Sequence, residues 1–351
     1  SATAPGYSYF LAGLSLLTGQ ERIVLRLVTL ILSLGVLVML WFAWDGATSP
    51  WTRFAALLPL AGSNFFIKSA SYIVTDNPAL LLTAGVLVLT LTGKSPAALP
   101  AAGLLAAGSV FLRQITGWLE VPLFLRAVRR PAQLWVVLPA LAVLGLLIHA
   151  WGGLVPPAWQ TQHRGEIAYA AGAYQLALLA LMGPFFHAAA GGSWREAGRS
   201  PWVWAGATLG LVLALAGPTN ASHEAGRWGG YLWNISAHFP APGQRSLFFL
   251  ALAPVGGAML GQLARILWRD AGQLAALPWF AALLAFLAAG LSNRQVYHRY
   301  FEPTLLVFLL LWLVLLAPHR RELFRRPLLW LGSGQVLLTL LTAHLRTFGP
   351  A

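Results

Sequence analysis

RIVLRLVTLILSLGVLVMLWFAW, residues 22–44, is the stretch that decides the fold. From Leu27 to Trp44 it carries no charge, and a helix needs roughly 20 apolar residues to cross a hydrocarbon core about 30 Å thick. Its apolar residues do not alternate with polar ones, as they would in a half-buried strand or on one face of a soluble helix. The rest of the 351-residue chain repeats this texture: 58% of residues are hydrophobic and 9% are charged, against roughly 25% charged in a soluble domain. So few charges cannot cover a water-exposed globule of this size without large apolar patches. The solvent of most of this surface is lipid.

Reading outward from residues 22–44, twelve apolar stretches are candidates for membrane helices. They are Arg22 to Trp44, Arg53 to Tyr72, Pro78 to Gly93, Ala97 to Arg113, Ile115 to Val128, Gln133 to Trp151, Gly172 to Ala190, Trp202 to Gly217, Leu247 to Leu267, Leu277 to Leu291, Thr304 to Ala317 and Leu328 to Leu345. Pro5 to Gly19 is too short to span and reads as an interfacial helix, with proline at its start and glycine at its end. The expectation is an all-α polytopic membrane protein of about 12 transmembrane helices, residues 1–351 forming one integral unit with no internal repeat and no broken helix.

The formal charge of +13 raises the question of nucleic acid, but the arginines are scattered through short loops rather than gathered on one face. They read as topology signals, and no nucleic-acid partner is expected. Positive loops stay cytoplasmic, so the Arg126 to Arg130 cluster and the arginine-rich loop from His319 to Arg326 lie inside. The ten that remain are Arg22, Arg26, Lys68, Arg113, Arg164, Arg227, Arg245, Arg294, Arg299 and Arg346, and most of them lie at or just beyond the outer ends of spans. An outer face this basic suggests an anionic ligand. No cysteine is present, which removes disulfides, thiolate metal sites and cysteine nucleophiles. No Gly-x4-Gly-Lys-Ser/Thr phosphate loop occurs, so a nucleotide site is not expected.

Ionisable groups at membrane depth are costly and mark function by default. Three outer clusters qualify. Lys68, Tyr72, Thr75, Asp76 and Asn77 form the first, where Asp76 either caps the helix that Pro78 begins or serves as a carboxylate for a sugar hydroxyl or a metal. Arg113 and Gln114 form the second, reading either as a snorkelling arginine or as a polar site; Glu120 beyond them reads as half of an internal ion pair. Asn293, Arg294, Tyr297, His298, Arg299, Tyr300 and Glu302 form the third. It is either interfacial anchoring or the planar cations and hydroxyl donors that a phosphate leaving group needs. A fourth, sparser set, His163, Arg164 and Glu166, offers two metal ligands at most. The aromatic loop Pro218 to Ser246, with Trp228, Tyr231, Trp233 and Phe239, reads as an interfacial belt or as a surface for stacking sugars.

Taken in order, these clusters resemble the GT-C class of membrane glycosyltransferases, which use polyprenyl-phosphate-linked sugars on the non-cytoplasmic side. Thr3-Ala4-Pro5-Gly6-Tyr7 is similar to the Thr-x-Pro-Gly-Tyr end of that class's first outer loop. Tyr72-Ile73-Val74-Thr75-Asp76 and Leu112-Arg113-Gln114-Ile115-Thr116 look most like the dolichyl-phosphate-glucose-dependent α-1,2-glucosyltransferases. Gly152-Gly153 with His163, Asn293-Arg294 with Tyr297, and Arg299-Tyr300 before Pro303 are looser matches. The likeness runs over nearly the whole chain through short motifs. The class places its general base, an aspartate, upstream of the Thr-x-Pro-Gly-Tyr stretch where this sequence begins, and the chain is therefore read as lacking an N-terminal helix and its acidic loop.

The resemblance implies inverting transfer of a sugar from a polyprenyl phosphate to a hydroxyl on a glycan or lipid acceptor, in a bacterial inner (plasma) membrane with the site facing outward. Asp76 is the expected catalytic carboxylate. Lys68, Tyr72, Arg113, Gln114, His163, Arg294, Tyr297, His298, Arg299 and Tyr300 are the expected substrate and phosphate ligands. No cofactor is required by the sequence, and a divalent cation stays open as a ligand of Asp76. The rival expectation is a transporter or flippase for an anionic lipid-linked sugar, with the same cations as an entry site. A non-catalytic scaffold would have no cavity joining Asp76 to Arg299.

Overall fold

A computed structural model describes residues 5–18, 21–157, 160, 167–195, 197–293, 295–320 and 322–348. These are 79% helical with no strand. In chain order the α-helices are α1 (Gly6–Thr18), α2 (Arg22–Phe42), α3 (Pro50–Ala61), α4 (Asn64–Ser71), α5 (Asp76–Thr92), α6 (Ala98–Leu112), α7 (Glu120–Ala127), α8 (Leu138–Trp151), α9 (Tyr169–Ala189), α10 (Pro201–Ala216), α11 (Tyr231–Ser236), α12 (Leu247–Ala271), α13 (Gln273–Leu291), α14 (His298–Leu316) and α15 (Arg325–Phe348). Seven helical stretches among the described residues are long and apolar enough to cross a membrane: 22–42, 131–151, 169–189, 242–271, 273–291, 298–319 and 325–345. Counting α4 and α5 as one bent span makes eight, and α6 and α10 are shorter apolar helices.

Three sequence expectations change here. The Arg53 to Tyr72 stretch is not one helix, because the chain breaks at Gly62 and Ser63 and restarts with the Ser63 hydroxyl accepting from the Phe66 N–H at 3.3 Å. Ile115 to Val128 is a 3-10 helix, Gln114–Leu119, followed by the eight-residue α7, too short to span. A broken helix is present after all: α4 and α5 meet at 116° around residues 72–75.

α2 shows how such a sequence chooses its faces. Thr29, Ser33, Val36 and Leu40 are buried while Leu27, Ile31, Leu34 and Val38 are exposed. The polar side faces protein and the apolar side faces outward, the reverse of a soluble helix. The inward hydroxyls are used: Thr29 bonds the Tyr7 hydroxyl at 2.7 Å, which docks α1, and Ser33 accepts from Asn77 at 2.8 Å, which docks the start of α5. Burial raises the Tyr7 phenol, opposed by its bond to Thr29, so it stays protonated. α9 and α14 are the buried posts of the bundle. Indole donors stitch α14 to its neighbours, Trp279 of α13 to the Phe308 carbonyl at 3.0 Å and Trp312 of α14 to the Leu263 carbonyl of α12 at 2.9 Å.

α10 and α12 approach so closely that glycine is compulsory. A Cβ on Gly206 would lie 2.0 Å from the Gly257 carbonyl oxygen, and one on Gly257 would lie 1.9 Å from that of Gly206. Close approach through small residues is how membrane helices gain packing energy without a hydrophobic drive. Gly257→Val is therefore expected to force the two backbones apart, at a cost of about 1–3 kcal/mol or more. Gly13→Ala, where nothing lies within 4 Å, should leave the thermal unfolding temperature unchanged. Equal unfolding temperatures for the two variants would contradict this contact.

Candidate functional site

The site forms where α5 and α14 begin and α6 and α13 end. Asp76 is the first residue of α5, and Thr75, without a side-chain cap bond, is its N-cap. The carboxylate sits in the positive field of the helix start but spends its hydrogen bond across the bundle, with Oδ1 2.5 Å from Arg113 Nη1. Asn77 beside it is buried and donates to Ser33 and to the Phe66 carbonyl at 3.0 Å, fixing the bend between α4 and α5. Arg113 terminates α6 in extended conformation, φ −150° and ψ 107°, and that change of direction swings its side chain toward Asp76. Thr116 holds the turn by donating to the Arg113 carbonyl at 2.8 Å.

From α14 come the partners. Arg299 Nε lies 4.0 Å from Asp76 Oδ2. The Tyr300 ring stands between two guanidiniums, 4.7 Å from that of Arg113 and 5.1 Å from that of Arg299, and Arg299 also covers Tyr297 at 5.6 Å. Such contacts contribute about 0.5–2 kcal/mol each and hold cations in fixed directions. Burial pushes the Tyr297 phenol up, reinforced by Tyr300 and opposed by Arg299, so it remains a hydrogen-bond donor. The segment leading into α14 is tied to the long aromatic loop, Trp233 donating to the Val296 carbonyl at 2.7 Å and the Val296 N–H bonding Gly226 at 3.0 Å.

Two cavities adjoin at Arg299. The narrower, about 60 Å³, is lined by Asp76, Arg113, Arg299 and Tyr300 above an apolar wall that includes Leu80, Ile115, Trp118 and Phe286. The wider, about 390 Å³, is lined by Phe65, Lys68, Ser69, Tyr72, Val74, Trp228, Gly229, Tyr297 and Arg299. Of the expected ligands, Asp76, Arg113, Arg299 and Tyr300 thus meet in one cavity, and Lys68, Tyr72, Tyr297 and Arg299 in the other.

His298 is a correction. It lines neither cavity; it is 3% exposed, with Nε2 2.5 Å from Glu302, Nδ1 2.7 Å from the Tyr174 hydroxyl, and its ring stacked on Phe65 at 4.2 Å. A histidine so enclosed has no face left for a ligand. Gln114 opens the 3-10 helix and does not line either cavity. His163 and Arg294, with Arg164 and Glu166, lie outside the described residues. Among the described residues Glu120 has no ion-pair partner, and both its oxygens are buried without a hydrogen bond. Among the described residues no group of three or more His, Asp or Glu gathers to hold a metal, and Asp76 is engaged with arginine.

Sequence reasoning missed Phe65, which floors the wider cavity. It named Trp228 only among loop aromatics, where nothing separated it from Trp233, buried at 1%. Comparison with protein-family models, with curated proteins and with solved structures returns no match.

Proposed function

We propose that this is a membrane glycosyltransferase that moves a sugar from a polyprenyl phosphate to a hydroxyl acceptor, at the outer face of a bacterial plasma membrane. The observation that carries the reading is the shared cavity of Asp76, Arg113 and Arg299 with apolar walls below. It offers planar cations where a lipid phosphate would leave and an apolar surface where its chain would begin. A scaffold has no use for such a cavity. In the reaction the acceptor oxygen bonds to the anomeric carbon from the face opposite the phosphate, the bond from that carbon to the phosphate oxygen breaks, and configuration inverts. Arg299 and Arg113 neutralise the charge growing on the departing phosphate. The hydroxyl proton passes to a carboxylate, and Asp76 is the only one lining either cavity among the described residues.

The test is to incubate the purified protein with polyprenyl-phosphate hexoses and saccharide acceptors and to measure release of the polyprenyl phosphate and growth of the product. Release dependent on acceptor is expected, and Asp76→Asn should lower it about 100-fold or more. One observation favours a second reading, translocation of an anionic lipid-linked sugar: the 116° break between α4 and α5, since discontinuous helices are common at transport sites. A labelled donor crossing vesicles without any product would replace the transferase reading with this one.

A further inference from the structure

We propose that the turn carrying Arg126, Arg129 and Arg130 binds the phosphodiester headgroup of an anionic membrane phospholipid, with its acyl chains lying along α7. The inference is independent of the transferase reading, because the turn lies at the other end of the bundle from Asp76. The Gln133 side chain donates to the Pro96 carbonyl at 3.1 Å, two residues before α6 begins, and α6 ends at Leu112 next to Arg113. Fifteen residues of helix put about 22 Å between those ends. Local hydrogen bonds gather the three arginines. The Val128 N–H bonds the Phe124 carbonyl at 2.8 Å as α7 closes, the Arg130 N–H bonds the Ala127 carbonyl at 2.7 Å, and the Gln133 N–H bonds the Arg130 carbonyl at 2.7 Å. Three guanidiniums therefore leave one short stretch of tightly turned chain, residues 126–130. The same Gln133 contact sets the loop that carries Lys94 beside them.

A loop that only fixes topology needs positive charge but no arrangement. This one concentrates its charge and leaves it uncompensated. Arg129 and Arg130 are exposed, Arg126 is half-buried, and among the described residues no carboxylate pairs with any of the three. Burial lowers the Arg126 pKa, and the charges of Arg129 and Arg130 lower it further, so each guanidinium sits in the field of the others. A phosphodiester among them relieves that repulsion and offers its oxygens to planar donor forks. The neighbouring surface suits hydrocarbon. α7 turns Pro122, Leu123 and Ala127 inward, while Val121, Phe124 and Val128, 40%, 49% and 47% exposed, fall on one outward stripe of the helix that runs into the arginine turn. Trp135, 49% exposed just beyond the turn, belongs to the residue type that settles at headgroup depth. A soluble phosphate would use the cations and ignore this stripe. A phospholipid uses both, and basic sites flanked by membrane helices are where anionic headgroups bind.

Native mass spectrometry of the purified full chain, released from micelles doped with dioleoyl phosphatidylglycerol or dioleoyl phosphatidylcholine, tests this. The anionic lipid should be retained about tenfold more than the zwitterionic one. Arg126→Gln/Arg129→Gln/Arg130→Gln should bring the two lipids to within about twofold of each other. Arg199→Gln/Arg325→Gln/Arg326→Gln removes the same charge at other exposed positions and should keep the wild-type preference. Arg129→Gln/Arg130→Gln, confined to exposed positions, should lose part of the preference at an unchanged unfolding temperature, which guards against a triple variant that does not fold. Glycerophosphoglycerol, the same headgroup without acyl chains, should not displace the lipid at equal concentration. Equal retention of the two lipids by the wild type would overturn the proposal, as would a preference that survives the first triple variant or is lost equally in the second. Displacement by glycerophosphoglycerol would also overturn it, by assigning the arginines to a soluble phosphodiester.

Discussion

Arg299→Ala is expected to lower the rate of sugar transfer about 100- to 1,000-fold, the range seen when one preorganised donor to a developing negative charge is removed, while the protein inserts and folds normally. The asymmetry between activity and stability follows from geometry. Arg299 lines both cavities, and its guanidinium is held over Tyr300 and Tyr297 and 4.0 Å from Asp76. Its side chain is nevertheless 45% exposed, and Asp76 keeps the closer partner, Arg113, when Arg299 is gone. Exposed pairs contribute about 0–1 kcal/mol, so little stability is at stake. Arg299→Lys keeps the charge without the planar fork and should recover only part of the lost rate. The measurement is initial rate beside the unfolding temperature of the same preparations. Undiminished turnover in Arg299→Ala would remove Arg299 from the phosphate site and, with it, the reason for reading the two cavities as one reaction centre.

How far the site could be read in advance depends on which residues signal locally. Asp76, Arg113, Arg299 and Tyr300 stand out because charge and polarity interrupt apolar sequence, and the bundle brings all four to one cavity. The helix pattern of residues 22–44 was equally legible, since a long uncharged run has one economical conformation in lipid. The break at Gly62–Ser63 was not. Hydropathy runs straight through it, and the Ser63 cap that starts α4 is a one-residue signal buried in an apolar stretch. α14 starts at His298, ahead of the uncharged run that begins near Thr304. Counting charges ends a span too early when Glu302 is buried against a neighbour four residues back on the same helix. His298 was misread for a related reason. Flanked by Tyr297 and Arg299 it looks like part of a polar rim, but its second partner, Tyr174, is 124 residues away. Helical turning sends adjacent residues to different faces, and only tertiary contact says which face is solvent.

That enclosed histidine sets up the largest expected loss of stability. Glu302→Leu should destabilise the fold by about 2–4 kcal/mol, between the cost of stranding a neutral buried donor and that of breaking a buried ion pair. Glu302 is 1% exposed and 2.5 Å from His298 Nε2, and the other ring nitrogen is already committed to Tyr174 at 2.7 Å. With Phe65 stacked on its face and Tyr231 edge-on at 5.7 Å, the imidazole cannot turn to find a replacement acceptor. Leucine supplies bulk but no lone pair. Glu302→Gln keeps an acceptor oxygen in place and should cost less than half as much. Because His298 and Glu302 close the first turn of α14, the leucine variant should also loosen Arg299 and Tyr300 and raise the KM for donor, whereas glutamine should leave KM near wild type. Thermal unfolding of the three proteins in one detergent reads the stability order. A leucine variant as stable as wild type would mean the pair holds nothing together, and the fixed orientation of Arg299 would then need another cause.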